Sequence, residues 1–470
     1  MIDLLQFALM TSGLQLKDHA SEIDGASRAD ILPGINPDIR GNAKANKLDP
    51  QDRAFHDWYR FILSFPPHLV RQYVTEFGLS GDDVVMDPFC GTGTTVVEAK
   101  KLGVRAVGLE ANPVARFASA TKLDWAVEPD SLRRLAGQVA AEARSMLARD
   151  GIDDSVLFSG EIAPPNLRTL DAVREKLLLT NSISPVPLHK TLVLLDCLRK
   201  RSAVPGCDHA LLALADVLVN NVSNLHFGPE VGVGKPKQDA PLIAPWLIKI
   251  DNIINDLTKE PAVAPSDATV FLADARRAGE FIKPASVSAV ITSPPYPNEK
   301  DYTRTTRLES VLLGFVSTRD ELRALKRGLV RSNTRGVYKQ DDDDQWVAQH
   351  PEINRIADEI EARRISMGKT SGFERMYPRV TRLYFGGMAR HLAELRPLLK
   401  PGARLAYVVG DQASYLRVMI RTGALLADIA QSLGYELERI DLFRTRLATA
   451  SREQLREEVV ILRWPKRKRS

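Results

Sequence analysis

The chain alternates short runs of β-branched and other apolar residues with longer stretches of helical spacing. Seven runs are apolar enough to be buried strands: VVMDPF at 84–89, RAVGLEAN at 105–112, TVFLADA at 269–275, VSAVITSPPY at 287–296, ARLAYVVGD at 403–411, ELERIDLFRT at 436–445 and EEVVILRW at 457–464. Helical patterns separate most of them, which predicts an α/β fold with a doubly wound, mostly parallel seven-stranded sheet. Only LATASREQLR joins the last two runs. That link is too short and polar for a crossover helix, so these two strands are expected to pair antiparallel at one edge.

Two long intervals break the alternation. From about Trp125 to Pro265 the spacing is helical in SLRRLAGQVAAEARSML and HALLALADVLVNNVSNL, followed by a Gly-, Pro- and Lys-rich piece, HFGPEVGVGKPKQDAP. This predicts a helical insertion over 125–265, a candidate target-recognition region. The second interval, 303–379, contains KRGLVRSNTRGVYKQDDDDQW and reads as a helical lid with a mobile polar loop. Its DDDD run at 341–344 lacks the spaced carboxylates of a hard-cation site and reads as a solvated turn. Residues 1–50 are mixed and polar, as in a loosely held arm, and the compact core is expected over 51–124 and 266–470. There is no internal repeat.

Charge and cysteine content narrow the setting. In 470 residues, 64 Lys and Arg stand against 59 Asp and Glu, a net +5 that permits a polyanionic partner without requiring one. Three cysteines without a CxxC pair argue against a disulfide framework and a zinc cluster, and for a reducing cytoplasm. The first residues, MIDLLQFALM, read as an amphipathic helix, because no basic leader precedes them and Asp3 interrupts them. No run approaches the roughly 18 apolar residues of a membrane span, so no membrane partner is expected. The basic end, PKRKRS, is suited to unspecific phosphate affinity.

The candidate chemistry begins where VVMDPFCGTGTTVVEA ends a strand in Asp87 and breaks into the turn Gly91-Thr92-Gly93. A phosphate-cradling loop needs a Lys that is missing here, and a dinucleotide fingerprint needs a third glycine where Thr94-Thr95-Val96 stands. What remains is an acidic residue at each of two strand tips with a Gly-x-Gly turn between them. Asp87 suits an ammonium group and Glu110 suits a ribose diol. S-adenosylmethionine carries both.

DPFCGTGTT, Asp87 to Thr95, resembles the first motif of the DNA amino-methyltransferases, and TSPPY, Thr292 to Tyr296, resembles their catalytic motif. The similarity covers roughly Phe55–Asn112 and Thr269–Trp464 and neither long interval. It implies a Rossmann-like methyltransferase core in which Pro88, Phe89, Gly91, Gly93, Thr94 and Thr95 join Asp87 and Glu110 around S-adenosylmethionine. The segment HDWYRFILSFPPHLVRQYV is similar to the one that closes over the methionine part, with Phe65, Pro66 and Pro67 as best matches; a helix entry with a Pro turn reads equally well. Asp274, in FLADAR, stands where the family has an acidic residue near the adenine ring, or it caps the following helix.

The catalytic motif has a chemical reason. An exocyclic amine conjugated to a base ring is a weak nucleophile until its two hydrogens meet acceptors, here the Ser293 hydroxyl and the Pro294 carbonyl, with Pro295 holding that carbonyl outward. Tyr296 stacks on the extruded base, returning roughly 1 to 3 kcal/mol of the few that flipping costs. Ring-carbon methylation needs a Pro-Cys nucleophile and deamination needs an HxE…PCxxC zinc motif, and the sequence has neither. Cys90, inside the turn, reads as small apolar packing.

Lys300, Tyr302, Arg304 and Arg307 follow the catalytic turn where a flipped strand must pass, and Lys235 and Lys237, with His226, surround a Gly-rich loop suited to a nucleic-acid backbone or groove. The expected function is site-specific methylation of double-stranded DNA, with a cognate restriction nuclease as candidate partner. Ser at the head of the motif favours cytosine N4. Adenine N6, RNA guanine N2 and a non-catalytic DNA-binding regulator are the alternatives. No oligomeric state is implied.

Overall fold

The computed structural model describes residues 48–59, 64–154, 166–227, 230–259, 266–297, 300–447 and 454–466. The expected N-terminal arm up to residue 47 and the basic end from residue 467 lie outside the described residues.

Among the described residues nine strands form: β1 Val84–Asp87, β2 Arg105–Glu110, β3 Leu225–Phe227, β4 Val231–Val233, β5 Ala268–Leu272, β6 Val287–Thr292, β7 Leu399–Gly410, β8 Glu436–Leu447 and β9 Gln454–Arg463. Seven make one sheet in the order β5-β2-β1-β6-β7-β9-β8. β1 pairs parallel with β2 and β6, β2 with β5, and β6 with β7. β9 is antiparallel to both β7 and β8. The last two strands therefore do pair antiparallel at one edge, but β9 inserts inside β8, so β8 is the rim. The short connection in sequence leaves β8 beside β9, and β9's apolar run, buried from Val459 to Leu462, gains from two neighbours rather than one.

The continuous apolar runs are explained by burial on both faces. Val85, Ile291, Ala406, Val408, Val459 and Ile461 face one core, while Met86, Val290, Leu405, Tyr407, Val409, Val460 and Leu462 face the other. That is the alternation of a strand, with no polar face. The first core is shared with helices of the first interval, Pro129–Arg149, Pro185–Arg199, Cys207–Val217 and Ile243–Leu257, through Leu132, Leu194 and Trp246. The second is shared with Pro351–Ser366 of the second interval and with Gly372–Leu395, which starts in that interval and runs beyond it, through Ile353, Ile356 and Phe385. The first interval thus covers one face of the sheet and the second mainly the other, although Leu308, Val311, Leu312 and Val316 at the start of the second join the first core.

Two local expectations change. Helical spacing through Leu225 continues only as a π-helical segment at Leu218–Val222 before β3, and the Gly- and Lys-rich piece pairs into an antiparallel β3-β4 ladder. Gly232 permits it, since a Cβ there would lie 2.3 Å from the His226 ring. The DDDD run is not a solvated turn. Asp341 pairs with Arg331 at 2.8 Å, and Asp343, 4 % exposed, pairs with Arg276 and Arg390. Gly386 lets the helix Gly372–Leu395 close on this segment, because a Cβ there would meet the Asp343 carbonyl oxygen at 1.9 Å.

Candidate active site

The strand order reverses between β1 and β6. From β1 the chain builds outward through β2 and β5, then returns to β6 on β1's other side and continues to β7. A crevice opens beyond the carboxyl ends of strands at such a switch point. Asp87 ends β1 and Thr292 ends β6, and the Thr292 hydroxyl donates to Asp87 Oδ1 at 2.6 Å. The Phe89 N–H also donates to Oδ1, at 3.1 Å. Asp87 is completely buried, and its Oδ2 has no hydrogen-bond partner among the described residues. Burial pushes its carboxyl up to about 6, against the pull of the Thr292 hydroxyl.

The turn after β1 needs its glycines. Gly91 and Gly93 have φ of 53° and 94°, in the left-handed region. A Cβ on Gly93 would press on Ser119 at 3.0 Å, whereas one on Gly91 would point into open space. The helix Thr94–Lys101 starts here and is pinned to β6 by Thr95, whose hydroxyl donates to the Ile291 carbonyl at 3.1 Å. Cys90 fits because β2 has Gly108 opposite; a Cβ there would lie 2.6 Å from its sulfur. Beneath the turn, the buried Lys122 ammonium donates to the carbonyls of Thr92, His56 and Tyr59 at 3.0, 3.2 and 2.5 Å.

Glu110 ends β2 and accepts from two backbone N–H groups, Gly91 to Oε2 and Asn112 to Oε1, each at 2.7 Å. These bonds fix the carboxylate and leave its remaining lone pairs toward the cavity. Burial pushes its carboxyl up to about 7 although both N–H groups favour the charged form. On the other side, the Ser293 hydroxyl donates to the Val408 carbonyl of β7 at 3.1 Å. With its hydrogen committed there, the oxygen is left as an acceptor. Tyr296 lies against Gly410, where a Cβ would approach the ring at 3.0 Å.

These groups face one cavity of about 290 Å³. Phe65, Pro88, Phe89, Gly91, Thr94, Glu110 and Asp274 line it, together with Ser293, Pro294, Pro295, Tyr296, Lys300 and Tyr302. Gly93, Thr95 and Asp87 stand behind the wall, and Pro66 is the buried N-cap of helix Pro67–Glu76. Asp274 does cap the turn Ala275–Glu280, accepting from the Arg276 N–H at 2.9 Å, and its carboxylate also pairs with the Arg276 guanidinium at 2.7 Å.

The cations expected to meet DNA are placed less uniformly. Arg307 donates to the carbonyls of Thr303 and Leu177, at 3.1 and 3.2 Å. Arg304 is half-buried and off the cavity wall. Tyr302 opens a short helix capped by Asp301, and burial pushes its phenol up to about 12. Lys235 is exposed beside the hairpin, while Lys237 gives its ammonium to the Asn221 carbonyl at 2.6 Å.

Sequence reasoning missed the opposite wall. Gly328 to Asn333, with Gly336, forms a strap across the cavity. It is held by Arg331, which pairs with Asp341, and by the Tyr415 hydroxyl, which donates to the Ser332 carbonyl at 2.9 Å. No spacing rule links residue 333 to residue 110. Asn112 was more legible, an Asn before Pro113 that caps the next helix by accepting from the Val114 N–H at 3.1 Å.

A family model described as DNA methylase matches residues 17–118, a span that includes the Gly-x-Gly turn and stops before Ser293. The type II methyltransferase M.BsoBI of Geobacillus stearothermophilus is 25% identical over 456 residues, covering 89% of this chain and 85% of the relative. The type II methyltransferase M.AvaI of Nostoc sp. is 24% identical over 458 residues, covering 90% and 88%. A tRNA (guanine(10)-N2)-dimethyltransferase of Methanothermobacter thermautotrophicus is 45% identical over 65 residues, only 14% of this chain and 18% of that protein. The near full-length matches span both long intervals, and with the family model they make the chain similar to the DNA amino-methyltransferases, a family whose methyl donor is S-adenosylmethionine.

Proposed function

We propose that this DNA methyltransferase acts on the N4 amine of cytosine in double-stranded DNA. The observation that carries the reading is Ser293: its hydrogen is held by the Val408 carbonyl, so its oxygen can only accept, and it does so into the cavity that Glu110 and the Gly91 turn also face.

The residues present suit the donor. Glu110 retains lone pairs for a ribose diol, and the unpartnered, buried Oδ2 of Asp87 is matched by an ammonium, directly or through water. When bound, S-adenosylmethionine supplies a methyl group on a sulfonium that is already a good leaving group. The chain's own contribution is to the amine and its position. Ser293 Oγ and the Pro294 carbonyl each hold one amine hydrogen, which returns the lone pair to nitrogen at the moment of attack. Tyr296 receives the flipped ring, and the fixed alignment contributes within the roughly 7 to 11 kcal/mol that positioning can supply.

Lys300, Arg304 and Lys235 are the cations we assign to the DNA backbone, with Arg307, Lys237 and Tyr302 shaping the surface beside them. A hydroxyl at the head of the motif, in place of a carboxylate or amide, favours cytosine over adenine. The type II names of the relatives support a role in restriction-modification beside a cognate nuclease. Among the described residues no helix is long and apolar enough to cross a membrane. The test is nucleoside mass spectrometry of DNA and RNA from cells with and without the chain. N4-methylcytosine in DNA is expected; N6-methyladenine would move the assignment to adenine, and methylguanine in RNA with unmodified DNA would overturn it.

A further inference from the structure

The strap contributed by the second long interval carries a polar group that the Ser293 and Glu110 chemistry does not use. Asn333 is 8 % exposed and lines the cavity, and its Oδ1 has no hydrogen-bond partner among the described residues. Its orientation is set, because Nδ2 donates to the Lys300 carbonyl at 3.0 Å. Turning the amide over would place two oxygens against each other there. Gly336 keeps the amide uncrowded, since a Cβ there would come into contact with Oδ1 at 3.6 Å. A buried acceptor left unmade is costly, so the site is built for an N–H or O–H that arrives with a ligand.

The donors on the two substrates are few. The target amine's two hydrogens are met by Ser293 and Pro294, and the ribose hydroxyls by Glu110. An ammonium carries full charge and is matched by the orphan carboxylate oxygen of Asp87 rather than by a neutral amide. The neutral 6-amine of the donor's adenine remains. Asp274, the residue expected to meet it, is already engaged: Oδ1 accepts from the Arg276 N–H and Nε at 2.9 and 3.0 Å, and Oδ2 from Nη2 at 2.7 Å. The strap also borders the Glu110 side of the cavity, since a Cβ on Gly328 would lie 3.6 Å from that of Ala111, the residue after Glu110.

We infer that Asn333 Oδ1 accepts a hydrogen bond from the adenine 6-amine of the methyl donor, so that the second interval supplies part of donor recognition. This rests on the assignment of the cavity to S-adenosylmethionine. The test is calorimetric binding of S-adenosylhomocysteine and of its analogue with hydrogen in place of the 6-amine. The unmodified protein should prefer the amine by roughly fivefold to a hundredfold. In Asn333→Ala the preference should fall to about twofold or less, while Asp274→Asn should keep it. Equal binding of both compounds by the unmodified protein overturns the inference without any variant, as does a preference that survives Asn333→Ala or disappears in Asp274→Asn. Failure of the unmodified protein to bind S-adenosylhomocysteine at all would instead overturn the donor-site assignment, and the inference with it.

Discussion

Replacing Ser293 with Ala removes one oxygen that has two jobs. As a donor it holds the Val408 carbonyl at 3.1 Å. As an acceptor, in the function proposed above, it takes one hydrogen of the target amine. The first job is a single neutral hydrogen bond with a net worth of about 1 kcal/mol to folding, and Ser293 is only half-buried, so the variant should fold. The second is exercised most strongly in the transition state, where the amine nitrogen gains positive charge and its hydrogens become better donors. Loss of one preorganised group of this kind costs about 2.7 to 4 kcal/mol, or roughly a hundredfold to a thousandfold in kcat. The assay is single-turnover transfer of labelled methyl to duplex DNA at saturating donor, with S-adenosylhomocysteine binding measured alongside. Transfer should fall by that factor while binding changes by less than about threefold, since the binding groups stand on other strands. Transfer within about threefold of the unmodified protein would refute the account and leave Ser293 as a clip on β7.

Donor affinity should also depend on pH. A diol donates to the ionised form of Glu110, whose carboxyl is pushed up to about 7, so affinity is full above that value and weakens as protonation removes the acceptor below it. Glu110→Gln should lose this slope and keep only a weaker one below about 6, where Asp87 protonates; calorimetry from pH 5.5 to 8.5 with no slope in the parent protein would contradict it. Gly108→Ala forces a Cβ to within 2.6 Å of the Cys90 sulfur and 3.1 Å of Val270, and should destabilise by about 1 to 3 kcal/mol in denaturant titration. Adding Cys90→Ala should restore part of that loss, because the contact with Val270 stays. Gly386→Ala drives a Cβ into the Asp343 carbonyl, so thermal unfolding should shift down by the equivalent of about 1 to 3 kcal/mol and donor affinity should fall as the strap loosens.

Local chemistry was the legible part. Strand runs, the Gly-x-Gly break and the Pro-Pro pair each depend on neighbours in the chain: β-branching, positive φ and a fixed proline ring act within a few residues. Asp274 shows the limit, since cap and ligand contact use the same residue at the same place in sequence, and only the Arg276 pairing at 2.7 Å shows how the carboxylate is engaged. The DDDD run misled for a related reason. Consecutive carboxylates look solvated until distant guanidinium groups, Arg276 and Arg390, are brought to them.

By itself the sequence determined the α/β alternation, the seven strands and the two motifs that name a methyl donor and an amine acceptor. The tertiary structure alone decided that β9 would insert between β7 and β8, that the first long interval would cover one face of the sheet and most of the second the other, and that residues near 330 would close the cavity over Glu110. Strand order, face and closure depend on contacts between segments more than a hundred residues apart. Such contacts are set by which apolar surfaces exclude water together, and no local spacing along the chain records them.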